Sequence, residues 1–137
     1  MDGDLGDVAH VPTVHGYHPG MSPATHRLET ADGTVVAERC AVADGFFSRF
    51  KGLMGRRELP EGDGLCLQKC SSIHMFFMRI ALDVAFVDGD GRVLKVYHGL
   101  RPWRVSSIVG GAKAAVELPE GTLKRLGVDR GTILSLI

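Results

Sequence analysis

Apolar positions divide the chain into two parts. Up to about residue 24 they have no period: Val8, Val11, Pro12, Val14, Tyr17 and Pro19 are scattered among glycines and histidines. Such a segment buries too little surface to offset its ordering entropy. Residues 1–24 are therefore expected to be an acidic, His-containing tail, and residues 25–137 a single globular domain. Residues 34–42, Thr-Val-Val-Ala-Glu-Arg-Cys-Ala-Val, follow the turn pair Asp32-Gly33 and are rich in β-branched residues, so they predict a strand. The period then changes. Phe46, Phe47, Phe50, Leu53 and Met54 recur at helical spacing behind Asp44, a good N-cap, and predict a helix of about three turns. Pro60 and Gly62 break the chain after it.

Further along, residues 64–70 and 72–78 read as short strands, and 83–88 as a clearer one. Asp88-Gly89-Asp90-Gly91 is a turn, and residues 92–98 form the returning strand of a hairpin. Residues 99–112 read as an irregular loop, 114–118 as a strand, 121–126 as a short helix stopped by Gly127, and 132–137 as a final strand. Short strands joined mostly by short turns favour antiparallel pairing. The expected class is mainly β (α+β): a compact antiparallel β-sandwich or partly open barrel, with one three-turn helix and one short helix at its edge.

Composition narrows the function classes. Sixteen Lys+Arg balance sixteen Asp+Glu, which excludes a bulk polycation. The balance is uneven: residues 1–33 carry Asp2, Asp4, Asp7, Glu29 and Asp32 against Arg27, so the rest is mildly basic. Nucleic acid is not an expected partner at that charge. The 18 glycines, about twice average usage, point to many turns. No run of about 18 apolar residues is present, so no membrane-spanning helix is expected. The tail starts with acids and has no apolar core, unlike a secretory signal. Cys40, Cys66 and Cys70 are an odd set that argues against a disulfide framework, which favours the cytoplasm.

Several chemical motifs fail on spacing. In Asp88-Gly89-Asp90-Gly91, Arg92 and Val93 occupy positions where a calcium loop needs a ligand and a glycine. Gly110-Gly111-Ala112-Lys113 lacks the phosphate-loop pattern. Cys66, Cys70 and His74 recur every four residues and are weak metal candidates, because a strand would spread them over about 26 Å. No metal and no cofactor are expected. Asp83 stands at the head of an apolar strand, where a charge needs partners. Backbone amides of the 79–82 turn, His74 and Arg79 are the nearest in sequence. Arg101, Trp103, Arg104 and Lys113 crowd one loop region; Trp103 is expected either to plug an open barrel end or to contact a ligand.

Four motifs carry a resemblance: Arg49-x-x-Gly52-Leu53-Met54, Ser72-Ile73-His74-Met75-Phe76-Phe77-Met78-Arg79, Asp83-Val84-Ala85-Phe86-Val87-Asp88 and Glu117-Leu118-Pro119-x-Gly121. Together, over residues 26–137, the chain resembles the domain of unknown function 192 family. The resemblance implies a compact, mainly β domain with small helices, and places the family's polar marks on His74, Met78, Asp83, Pro102 and Glu117. Met75 and Phe77 depart from the Thr and Gly common in relatives.

The expected function is binding of a small polar or anionic ligand, or of a protein partner. The groove would be lined by His74, Met78, Arg79, Asp83, Arg101 and Trp103. The alternatives are a small hydrolase or transferase using His74 and Asp83, with metal or Cys assistance, and a structural accessory subunit.

Overall fold

The computed structural model describes residues 25–44, 56–76 and 78–137. The expected tail and the expected three-turn helix lie outside the described residues. Seven strands follow in chain order: β1 (Thr25–Thr30), β2 (Val35–Asp44), β3 (Asp63–Gln68), β4 (Leu82–Val87), β5 (Val93–Leu100), β6 (Ala114–Pro119) and β7 (Leu134–Leu136). Among the described residues one short helix, α1 (Thr122–Leu126), precedes β7.

The strands form one sheet in the order β5-β4-β6-β3-β2-β1-β7. The mainly β class holds, but the sheet is single and mixed where an all-antiparallel β-sandwich or partly open barrel was expected. The sheet is mixed, because β2 and β3 run parallel, with Cys40 opposite Gly64 and Val42 opposite Cys66. A parallel pair needs a long crossover, and the stretch between Asp44 and Asp63 supplies its length. The sheet is not closed. Its edge strands meet at one point, where Arg92 and Ile133 share an isolated bridge and the Val93 N–H donates to the Thr132 carbonyl at 2.8 Å.

The β4–β5 hairpin forms as its sequence predicts. One Asp88 carboxylate oxygen accepts from the Asp90 N–H at 2.8 Å and the Arg92 N–H at 3.0 Å. Gly91 takes a φ of 81°, which a side chain would resist. The pairing 72–78 was expected to make is reduced to a single bridge between His74 and Val105. The reason is local: the Ile73 and Met75 backbones bond to the 104–106 loop instead of to a strand. Strand β1 was not foreseen; its apolar content, Leu28 alone in the core, is too thin to read as a strand.

The sheet separates two apolar clusters. Ala85, Val87, Val116, Leu118, Cys40, Cys66 and Leu123 of α1 form one. Leu82, Val84, Phe86, Ala115, Leu65 and Leu67 form the other, covered by Ile73, Met75, Met78 and Val109. Strand β4 is buried along its whole length because both of its faces are covered.

Candidate functional site

Successive side chains of β4 point to opposite faces, so Asp83 shares a face with Ala85 and Val87 and with α1. Its carboxylate is fully buried. Oδ1 accepts from the Gly99 N–H at 2.9 Å, and Oδ2 accepts from the N–H groups of Gly121 at 3.1 Å and Leu123 at 2.9 Å. The acceptors' partners are thus the end of β5 and the start of α1, not the 79–82 turn. The residue that caps the start of helix α1 is Gly121, which has no side chain to do it, and the helix carries no acid in its first turn. Asp83 supplies that cap from a distant strand.

His74 lies on the segment that covers the other face, between Ile73 and Met75 of the second cluster. The sheet therefore separates it from the Asp83 carboxylate. What His74 meets is aromatic: its ring centroid is 5.0 Å from Phe76, and Phe76 is 6.1 Å from Trp103. The Phe76 N–H donates to His74 Nδ1 at 3.3 Å. Phe76 is 41% exposed and Trp103 58%, so Trp103 does not plug the sheet. Val105, bridged to His74, and Ile108 are also exposed.

Backbone bonds fix this strip. The Trp103 N–H donates to the Met75 carbonyl at 2.7 Å, and the Met75 N–H donates to the Arg104 carbonyl at 2.7 Å. Ser106 Oγ accepts from the Ile73 N–H at 2.9 Å. Trp103 is held at a φ of 67°, a conformation unusual for a bulky residue. Arg79, Arg101 and Arg104 are exposed, and Pro102 is half-buried. Met78 is buried in the second cluster, behind the strip. The structure thus brings His74 and Trp103 together through Phe76, and sets Asp83 apart.

The thiols are mostly core. Cys40 and Cys66 are fully buried. Burial pushes the Cys66 thiol up to about 12, with Cys70 adding to the shift, and burial raises the Cys40 thiol well above its usual range, with Cys66 adding to it. Cys70 is half-buried and its thiol donates to the Ser72 carbonyl at 3.0 Å. Among the described residues, no three His, Cys, Asp or Glu side chains gather as a metal cluster. Glu117 is fully buried on the second face, in register with Leu65 and Val84.

Sequence reasoning did not single out Phe76, Val105 or Ile108. An apolar residue in a short irregular segment carries no period that says which way it points. It also missed the grouping of Lys95, Tyr97 and Ser107, whose only legible signal was the Lys-x-Tyr spacing that puts two side chains on one strand face.

The fold and its site define a class: a small mixed-sheet domain with a buried carboxylate latch on one face and an exposed aromatic strip on the other. The profile of the DUF192 family, described as "Uncharacterized ACR", matches residues 27–136, and the chain belongs to that family. It is 37% identical to a UPF0127 protein of Thermococcus sibiricus over 108 residues, covering 76% of this chain and 70% of that one. It is 33% identical to a UPF0127 protein of Pyrococcus furiosus over 111 residues, covering 76% and 91%. A solved structure from Novosphingobium aromaticivorans, a protein of unknown function, matches with a TM-score of 0.70 at 25% identity, covering 85% of this chain and 94% of that one. Another, from Sinorhizobium meliloti, matches at 0.71 and 26%, covering 85% and 96%. No helix among the described residues is long and apolar enough to cross a membrane.

Proposed function

We propose that this domain binds a small ligand with a flat apolar body and an anionic group. The strip of His74, Phe76 and Trp103 takes the body, and Arg101 and Arg104 take the charge. The observation that carries this reading is Trp103: 58% exposed, held at a positive φ, and pinned by its N–H to Met75. An indole held in an uncommon backbone conformation while more than half exposed suits a contact surface. Forked guanidinium donors on both sides of it in the chain suit carboxylate or phosphate. Arg79, one residue beyond the buried Met78, is exposed and is a further candidate for the anionic group. In this reading Asp83 and Met78 support the site from within the fold and touch no ligand. A reduced, cytoplasmic setting and a tail ahead of residue 25 fit the reading but do not carry it.

The chain has a single Trp, so its emission reports on the strip alone. Titrating a panel of aryl carboxylates and aryl phosphates should give a saturable change in Trp103 emission for at least one member. That change should weaken at least about tenfold in Arg101→Ala or Arg104→Ala, the loss expected of one charge-assisted contact. Linear, non-saturating quenching by every member would defeat the proposal.

A further inference from the structure

Strand β5 and the 101–109 loop meet at a second polar group, on the sheet face shared with Phe86. Lys95 lies opposite Phe86 and Tyr97 opposite Val84. The Tyr97 ring meets Phe86 edge-on at 6.1 Å, which fixes its plane. Tyr97 Oη is 2.9 Å from Ser107 Oγ and accepts from the Ser107 N–H, also at 2.9 Å. Lys95 Nζ donates to Ser107 Oγ at 3.2 Å and lies 5.0 Å from the centre of the Tyr97 ring. Lys95 and Ser107 are exposed and Tyr97 is half-buried, so solvent and small molecules reach all three.

We propose that Ser107 is a nucleophile toward small activated acyl esters, with Tyr97 as its general base and Lys95 as the cation that stabilises the developing oxyanion. The geometry supplies the parts that acyl transfer needs: a hydroxyl within hydrogen-bond reach of its base, and an ammonium 3.2 Å from that hydroxyl, close enough to face the carbonyl oxygen of an acyl group bonded to it. The electrostatics agree. Burial raises the Tyr97 phenol, but hydrogen bonds from Ser107 and the nearby Lys95 outweigh it, so the phenol lies below its ordinary range. Among the described residues, Lys95 supplies the charge that acts on it.

In the acylation step the Tyr97 phenolate takes the proton of Ser107 Oγ. Oγ forms a bond to the acyl carbon, and the carbonyl electron pair moves onto its oxygen beside the Lys95 ammonium. Collapse breaks the bond to the leaving alkoxide or phenolate, and Tyr97 returns its proton to solvent. Water then adds to the acyl carbon, the Oγ–carbon bond breaks, and a proton returns to Oγ. No redox partner or cofactor enters.

The test is incubation of the full chain with p-nitrophenyl acetate, followed by peptide mapping of the acetylated residues. The expected result is acetylation at Ser107 ahead of every other serine and threonine, lost in Ser107→Ala. Tyr97→Phe should lower the Ser107 rate about a hundredfold, the low end of general-base catalysis. Lys95→Gln should lower it about tenfold while leaving the fold intact, since the side chain is exposed. Acetyl groups found only on lysines, or a Ser107 rate unchanged in both Tyr97→Phe and Lys95→Gln, would overturn the proposal. The second result would leave Tyr97 and Ser107 as a latch that ties the loop to β5.

Discussion

The Asp83 carboxylate reaches across the fold to accept the Leu123 N–H at 2.9 Å, joining β4, which lies between β5 and β6, to the first turn of the only described helix. Gly99 and Gly121 donate to the same carboxylate. The position of α1, and through it of β7, therefore depends on one buried acid. Asp83→Ala leaves three N–H groups without this acceptor, and a buried unsatisfied donor costs about 1–3 kcal/mol. The expected loss is about 3–5 kcal/mol in urea unfolding. Asp83→Asn should not restore it, because its amide sets a donor against at least one of these donors. An Asn variant with a wild-type midpoint would show that the charge and the second acceptor do not matter.

Trp103 should behave in the opposite way. Its ring is 58% exposed and its removal opens no cavity. Trp103→Ala should change stability by less than about 0.5 kcal/mol, as for most surface sites. Phe86→Ala, at a fully buried position, should cost about 3–5 kcal/mol. Thermal unfolding of the two variants side by side measures the contrast. A large loss in Trp103→Ala would make the indole a packing residue and remove the reason to see it as a binding surface.

Much of this fold was legible, and the reasons for the gaps are physical. Strands β4, β5 and β6 carry continuous or alternating apolar runs, turn residues at 88–91 separate β4 from β5, and Gly127 marks the end of α1. Their positions follow from local chemistry, and they were found within two residues. Topology was not local. The parallel partnership of β2 with β3 depends on a long crossover, and nothing in either strand encodes the direction of its neighbour. The segment 72–78 has strand-like residues but pairs only through His74, because the 104–106 loop satisfies its backbone. The candidate site divided the same way. His74 and Trp103 were legible as residue types, and they do meet one aromatic neighbour. Asp83 was legible as a charge in need of partners, but its donors stand 16, 38 and 40 residues away, beyond what sequence proximity can suggest.

The β4–β5 turn offers a cleaner local test. Asp88 accepts the N–H groups of Asp90 and Arg92, and its own N–H donates to the Arg92 carbonyl at 3.0 Å. Asp88→Ala removes two side-chain bonds at the turn and should cost about 1–2 kcal/mol. Asp88→Asn keeps a carbonyl oxygen for the same N–H groups and should recover most of that. Calcium should leave the unfolding midpoint of the wild-type chain unchanged, since this acid is engaged in turn bonds. A calcium-dependent rise would mean the turn binds cation after all.

The buried thiols give the chain a characteristic alkaline weakness. Cys40 and Cys66 lose their protons in the unfolded chain near the ordinary thiol range around 9, whereas burial raises both in the folded state, Cys66 to about 12. Between those limits the folded protein holds more protons than the unfolded one, so stability falls as pH rises. The contribution is fully present below about 9 and is lost progressively toward 12. Urea midpoints at pH 8, 9, 10 and 11 should therefore decline (about one buried group's worth of slope per cysteine). Other groups titrate in the same range, so the decisive comparison is with Cys40→Ala and Cys66→Ala. Each variant begins with a lower midpoint, but its decline above pH 9 should be shallower than that of the wild type. Equal slopes would mean that the thiols ionise as readily folded as unfolded, which their full burial in the sheet's first cluster does not allow.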